Sequence, residues 1–221
     1  LYQSPIMNIF KKKIQDKDTI LHEKYVSYTM IPKHIFLDNL SLTKEIQNID
    51  GCIVECGVWK GGMIAAIAEI LGSRREYYLF DSFEGLPKAQ EIDGQAAINW
   101  QNNTKSEWYF DNCSADQRFA ESAMSLTGST KYHIIKGWFE DTLPTSNVPP
   151  IALLRLDGDW YDSTLCCLEN LFPHVVVNGM IIIDDYYVWD GCAKAVHDYL
   201  SVNKLAVRIR SSREGVCYIK K

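Results

Sequence analysis

Two apolar runs in this chain each end in carboxylates, with one helix-length of sequence between them. Ile151 to Leu156 reads I-A-L-L-R-L and is followed by Asp157, Gly158 and Asp159, while Gly179 to Ile183 reads G-M-I-I-I and is followed by Asp184 and Asp185. Short β-branched or leucine-rich runs bounded by glycine and polar residues suit strands buried on both faces. Between them Leu165, Leu168, Leu171 and Phe172 recur at helical spacing over Ser163 to Pro173. A strand–helix–strand unit sets its strands parallel, with their carboxyl ends on one edge. The acids therefore converge where open α/β sheets bind ligands. Oxygen-only donors meeting at one point suit a hard dication such as magnesium. Solvated strand-end or capping acids are the competing reading, and it fits Asp162 best. It fits Asp157 and the Asp184–Asp185 pair poorly, because adjacent strand ends set like charges together without compensation. Strand alternation would send Asp184 and Asp185 to opposite faces, so the chain has to be turning there if both ligate.

A chain of 221 residues is expected to hold one α/β domain and a short extension. The division expected is an N-terminal extension or lid over 1–50 and the α/β domain over 51–221. A net charge of -5 with 47% hydrophobic residues describes an ordinary soluble protein and argues against a general nucleic-acid binder. No apolar run approaches the ~20 residues of a membrane span. Seven cysteines form no C-x-x-C or Cys/His cluster, so reduced cytosolic thiols are expected rather than zinc.

Lys11 to Lys13 read as a solvated basic face, and 19–31 show no clear periodicity. Ile35, Phe36, Leu40 and Ile46 give a loosely amphipathic helix after Pro32. From Cys52 the chain runs strand, glycine-bearing turn, buried helix: C-I-V-E-C-G-V-W-K-G-G-M-I-A-A-I-A. Gly57, Gly61 and Gly62 allow a sharp turn and close approach to a ligand, though their spacing is not that of the dinucleotide fingerprint. Glu55, just before the turn, is placed either to attract a cationic ligand group or to pair within the strand. The next strand, Tyr77 to Phe80, ends at Asp81, 24 positions beyond Gly57. An acid there is where a ribose is gripped through its hydroxyls, so the pair points to an adenosine ligand.

Residues 84–130 read as loops around the site with one helix near Ala115 to Leu126. A third strand over Lys131 to Trp138 brings up Trp138, whose ring either faces a purine or joins the core. Cys192 to Asn203 follows helical spacing. Ala206 to Arg210 and Val216 to Ile219 read as a closing hairpin.

Five segments stand in order: V-E-C-G-V-W-K-G-G, D-S-F-E-G-L-P, G-W-F-E-D-T-L-P, L-R-L-D-G-D-W-Y-D-S-T and I-D-D-Y-Y. Together they resemble the macrocin O-methyltransferase family from about Gly51 to the C-terminus. The resemblance implies a Rossmann-like class I methyltransferase fold, a sheet of strand order 3-2-1-4-5-7-6 with the last strand antiparallel. It implies S-adenosyl-L-methionine held by Glu55, Gly57, Gly61, Asp81, Ser82, Gly137, Trp138 and Asp157, and more weakly by Thr29 and Met30. It also implies Mg2+ on Asp157, Asp184 and Asp185. The loop from Pro87 to Thr130 departs from the family pattern.

The activity implied is O-methylation of a hydroxylated small molecule, a sugar or glycosylated metabolite, with no nucleic-acid or membrane partner and with a homo-oligomer left open. A dication lowers the pKa of an acceptor hydroxyl and stabilises the developing alkoxide. Related catechol-type enzymes carry a lysine three places after the first aspartate, where this chain has Trp160. Asp157, as ligand and proton acceptor together, is therefore the catalytic candidate. The rivals are a metal-dependent glycosyltransferase using Asp157-Gly158-Asp159 and a non-catalytic binding module on the same fold.

Overall fold

The computed structural model describes residues 16–221; the basic run at Lys11 to Lys13 lies outside them. Among the described residues seven strands form one sheet: β1 (Cys52–Cys56), β2 (Tyr77–Asp81), β3 (Tyr132–Lys136), β4 (Ile151–Leu156), β5 (Val175–Ile183), β6 (Arg210–Ser211) and β7 (Cys217–Lys220). Their spatial order is β3-β2-β1-β4-β5-β7-β6, the order that the resemblance implies. β1 to β5 are parallel neighbours, whereas β7 runs antiparallel to β5 and to β6.

The central strands are apolar throughout because both faces are covered. Ile53, Leu79, Leu153 and Ile182 point to one side, onto α1 (Lys17–Tyr25), α2 (Lys33–Glu45), α3 (Gly62–Leu71) and α5 (Gln117–Ser125). Val54, Phe80, Leu154 and Ile181 point to the other, onto α7 (Tyr161–Leu171) and α8 (Asp190–Val202). Burying each such Ile or Leu contributes about 1.5–3 kcal/mol. Two short helices, α4 (Gln95–Asn102) and α6 (Phe139–Thr142), sit in the connections.

α1, α4 and the closing hairpin differ from what the sequence leads one to expect, and α6 is a further short helix without a sequence signal. α1 forms over K-D-T-I-L-H-E-K-Y, where no periodicity is visible, because partners distant in sequence hold it: Tyr25 is fully buried and donates to Glu69, Leu21 packs on the core and Asp18 pairs with Lys44. α4 lies within the expected loops. It starts beyond Gly94 and buries Ala97 beside Trp160. The closing hairpin is shorter than expected, since β6 is an exposed edge paired only at Arg210 and Ser211. No described helix is long and apolar enough to cross a membrane.

Candidate active site

At the carboxyl ends of β1, β2, β4 and β5 lies a cavity of about 270 Å3. Its floor is set by the glycine turn. Gly57 has φ 85°, and a Cβ there would lie 1.7 Å from the Asp157 carbonyl oxygen, so only glycine lets the ends of β1 and β4 meet. Gly61 does not line the cavity. Its Cβ position meets Ala120 Cα at 2.9 Å, so its role is close packing of the turn against α5, and Gly62 lines the cavity in its place.

Asp81 folds back onto the same turn. One carboxylate oxygen accepts from the backbone N–H of Val58 and Trp59 at 2.6 and 2.8 Å, and the other from Phe83 at 2.6 Å. A carboxylate has about four acceptor sites, so three are spent within the protein and one is left for a ligand hydroxyl. Burial pushes the Asp81 pKa up, opposed by those three N–H groups. Ser82 lines the cavity, but its hydroxyl donates to the Gly85 carbonyl and accepts from Glu84 N–H. Gly137, Trp138, Thr29 and Met30 also line the cavity. Trp138 is half-buried at the cavity wall rather than core.

The acids converge as the strand–helix–strand reading requires. Carboxylate oxygens of Asp157, Asp184 and Asp185 lie within 4.8 Å of one another. β5 ends at Ile183, so Asp184 and Asp185 sit in the following turn and both face the cavity. Asp159 joins them with φ 56°; its carboxylate accepts from Trp189 Nε1 at 2.9 Å, and its N–H donates to Asp185 at 3.0 Å. Burial, then mutual repulsion, raises the carboxyls of Asp184 to about 6 and of Asp159 to about 8. Asp185 is raised for the same reasons. A set of all-oxygen donors with this excess of negative charge fits a hard dication.

Arg155 belongs to no sequence motif, yet it organises the wall. Its guanidinium is buried and donates to Glu55 at 2.9 Å, to Asp157 at 2.7 Å and to Asp184 at 2.5 Å. A charged residue inside an otherwise apolar strand must be paired, and that was the available signal. Glu55 therefore pairs within the sheet through one oxygen. Its other oxygen, Oε2, is buried with no hydrogen-bond partner among the described residues, and burial raises this carboxyl to about 8.

Trp160 occupies the position of the catechol-type lysine and is structural: it is 2% exposed and donates to the Pro87 carbonyl at 2.9 Å. Asp162 lies exposed on α7, accepting from Gln90 at 3.1 Å, and caps no helix. Trp189 and the loop residues Trp108 and Phe110 line the cavity without having been singled out in the sequence.

Known proteins resemble this chain in sequence and fold. A relative from Streptomyces olivaceus, 8-demethyl-8-(2,3-dimethoxy-alpha-L-rhamnosyl)-tetracenomycin-C 4'-O-methyltransferase, is 34% identical over 74% of this chain. Demethyldecarbamoylnovobiocin O-methyltransferase of Streptomyces niveus is also 34% identical, over 76%. The matches span 64% and 66% of those relatives' own lengths. Among solved structures, the O-methyltransferase NovP superposes with TM-score 0.74 at 27% identity, covering 88% of this chain and 82% of that one. An O-methyltransferase from Bacillus cereus in complex with SAH shares the fold at TM-score 0.54 and 14% identity, covering 95% and 94%. With the macrocin-O-methyltransferase family matching residues 7–221, the chain belongs to that family.

Proposed function

We propose that the protein transfers the methyl group of S-adenosyl-L-methionine to a hydroxyl of a sugar or glycosylated natural product, with Mg2+ held by Asp157, Asp184 and Asp185. One observation carries the reading: those three carboxylates converge within 4.8 Å on the cavity that the Gly57 turn and Asp81 also enter. The Streptomyces olivaceus relative, whose name contains a rhamnosyl group, supports a sugar hydroxyl as acceptor.

When bound, S-adenosyl-L-methionine would supply a sulfonium methyl to the acceptor oxygen, with S-adenosylhomocysteine and one proton as the other products. A dication at the acid trio would supply Lewis acidity to the acceptor hydroxyl. The remaining work falls to this chain's own side chains. Asp81 keeps one acceptor site for a ribose hydroxyl, and Glu55 Oε2, buried and unpaired, is matched to a cationic ammonium group. Tyr28 to Pro32 line the cavity from the segment joining α1 and α2 and serve as its cover. The proton goes to a carboxylate on the acid wall. Asp157 accepts from Arg155 and belongs to the converging trio, which weakens it as a base. Asp159 lies outside the trio, its carboxylate held among the described residues by the neutral Trp189 N–H, and is the better-placed acceptor.

Titration calorimetry with S-adenosyl-L-methionine and with a sugar nucleotide, followed by transfer of labelled methyl to a panel of sugars, glycosides and catechols, tests the reading. Binding of the first ligand and magnesium-dependent labelling of a glycoside are expected. Binding of the sugar nucleotide alone would favour a glycosyltransferase, and cofactor binding without transfer to any hydroxyl a binding module.

A further inference from the structure

Each of the three converging carboxylates has one oxygen already taken. Arg155 Nη1 donates to Asp157 Oδ2 at 2.7 Å and Nη2 to Asp184 Oδ1 at 2.5 Å, while the backbone N–H of Asp159 donates to Asp185 Oδ2 at 3.0 Å. The other oxygen of each acid receives no hydrogen bond among the described residues. The trio therefore offers a dication one oxygen from each acid rather than both. The donors that take those oxygens are themselves fixed. The Arg155 side chain is 1% exposed, its Nη1 also serves Glu55 at 2.9 Å, and its Nε donates to Asn39 of α2 at 3.3 Å. A planar fork held at all three nitrogens cannot swing away from one acid without breaking with the others. Asp159 sits at left-handed φ 56°, and its side chain is tied to Trp189 at 2.9 Å, which fixes the turn that presents its N–H. Turning an aspartate of the trio so that both oxygens face an ion would leave a buried donor unpaired.

That restriction bears on which ion can be held. Calcium takes about six to eight oxygens and often fills its large shell by gripping a carboxylate through both of them. Magnesium is smaller, demands octahedral geometry and keeps several waters, so single oxygens from three acids suffice for it. Selectivity between the two follows from ligand number and ligand freedom, and Arg155 limits both.

Resting on the magnesium reading above, we infer that Arg155 is a positioning residue that sets the metal preference of the site. By occupying one oxygen of Asp157 and one of Asp184 it holds both acids in the one-oxygen mode, which admits magnesium and manganese and disfavours calcium. A brace without this role would strengthen or weaken the binding of every dication alike.

The test titrates the full chain, saturated with S-adenosylhomocysteine, with magnesium, manganese and calcium chloride in turn, and reads binding by calorimetry. Wild type should bind magnesium about tenfold tighter than calcium. Arg155→Lys keeps the positive charge but replaces two spread donor nitrogens with one, so it frees an oxygen of at least one aspartate. Its preference for magnesium over calcium should shrink at least severalfold, with a cooperative thermal transition as the check that it is folded. A second measurement needs no variant. The spacing between the antisymmetric and symmetric carboxylate stretches in the infrared is wider for one-oxygen than for two-oxygen binding, and wild type saturated with calcium should still show the wide spacing. Calcium bound as tightly as magnesium by wild type, an unchanged preference in folded Arg155→Lys, or two-oxygen bands in wild type with calcium would overturn the inference. Wild-type protein that binds none of the three ions would instead overturn the magnesium reading, and this inference with it.

Discussion

Arg155 stands directly opposite Glu55 in the register of β1 and β4, and its Nη1 donates to Glu55 Oε1 at 2.9 Å with both side chains at most 2% exposed. The same guanidinium reaches Asp157, two residues further along β4, and Asp184 beyond the end of β5. One buried cation thus ties three strand ends together from the face covered by α2, whose Asn39 accepts from Arg155 Nε at 3.3 Å. A carboxylate cluster this dense needs fixed positive charge to fold before any ligand arrives.

Replacing that cation should be costly. Arg155→Met keeps much of the volume but leaves Glu55 buried and unpaired, and removing one partner of a buried pair costs about 3–5 kcal/mol. Urea denaturation should show the loss. Because the acids would then repel one another more strongly, added magnesium should restore more stability in the variant than in wild type. A wild-type-like midpoint without metal would mean that the cluster tolerates its own charge.

Asp81→Ala should have two effects rather than one. The substitution removes an expected ribose contact, worth about 1.5–3 kcal/mol of S-adenosyl-L-methionine affinity for a charge-assisted hydrogen bond. It also leaves the N–H groups of Val58, Trp59 and Phe83 without their acceptor, so melting temperature should fall as well. Calorimetry and thermal denaturation on the same variant separate the two. An unchanged dissociation constant in a destabilised protein would make Asp81 a brace for the turn alone.

The sheet was largely legible because its evidence is local: apolar runs, a glycine turn and an acid at each strand end follow from strand geometry and need no partner to be identified. The convergence of Asp157 with Asp184 and Asp185 followed from one strand–helix–strand rule. What could not be read depends on contacts distant in sequence. α1 forms in part because Tyr25 meets Glu69, 44 positions away. Arg155 owes its role to Glu55, 100 positions away, and Gly61 faces Ala120 on a helix from another part of the chain. Trp160 resisted for the same reason, since its place against Pro87 and Ala97 is set by a loop without sequence periodicity.

Tyr28 to Pro32 should respond to ligand. They line the cavity between α1, anchored through Tyr25, and α2, whose Phe36 and Leu40 are fully buried. The anchors hold while the link between them orders over a bound molecule. Amide exchange at 28–31 should slow at least severalfold when S-adenosylhomocysteine is added, with little change in α2. Equal exchange rates with and without it would leave this segment a static wall.

The two aspartates of D-G-D should separate in function. Asp159→Asn keeps shape and the Trp189 contact but removes the proton acceptor, so it should lower kcat by about 10²–10⁴ while leaving the magnesium requirement near wild type. Asp157→Asn takes a ligand from the trio and should raise the magnesium concentration needed for half activity. Steady-state rates titrated with metal discriminate the two. Loss of kcat in Asp157→Asn that saturating magnesium leaves unrepaired, with Asp159→Asn near wild type, would return the base to Asp157.

Magnesium and pH should act against each other on stability. In the metal-free fold burial raises the carboxyls of Asp184, Glu55 and Asp159 to about 6, 8 and 8, from about 4 in an unfolded chain. Between those limits the native state binds more protons than the unfolded one, so stability falls as pH rises from about 4 to about 8. This is the reverse of a salt-bridged surface carboxylate. A dication binds the ionised form and competes with those protons, so its stabilisation should grow as pH rises over the same window. Thermal denaturation with and without magnesium should therefore show a larger shift at pH 8 than at pH 6, and EDTA should abolish it at both. Asp185→Asn, which removes one ligand and one repelling charge, should be more stable than wild type without metal at pH 8 and less responsive to magnesium. A shift independent of pH, or one that persists in Asp185→Asn, would place the ion away from the trio.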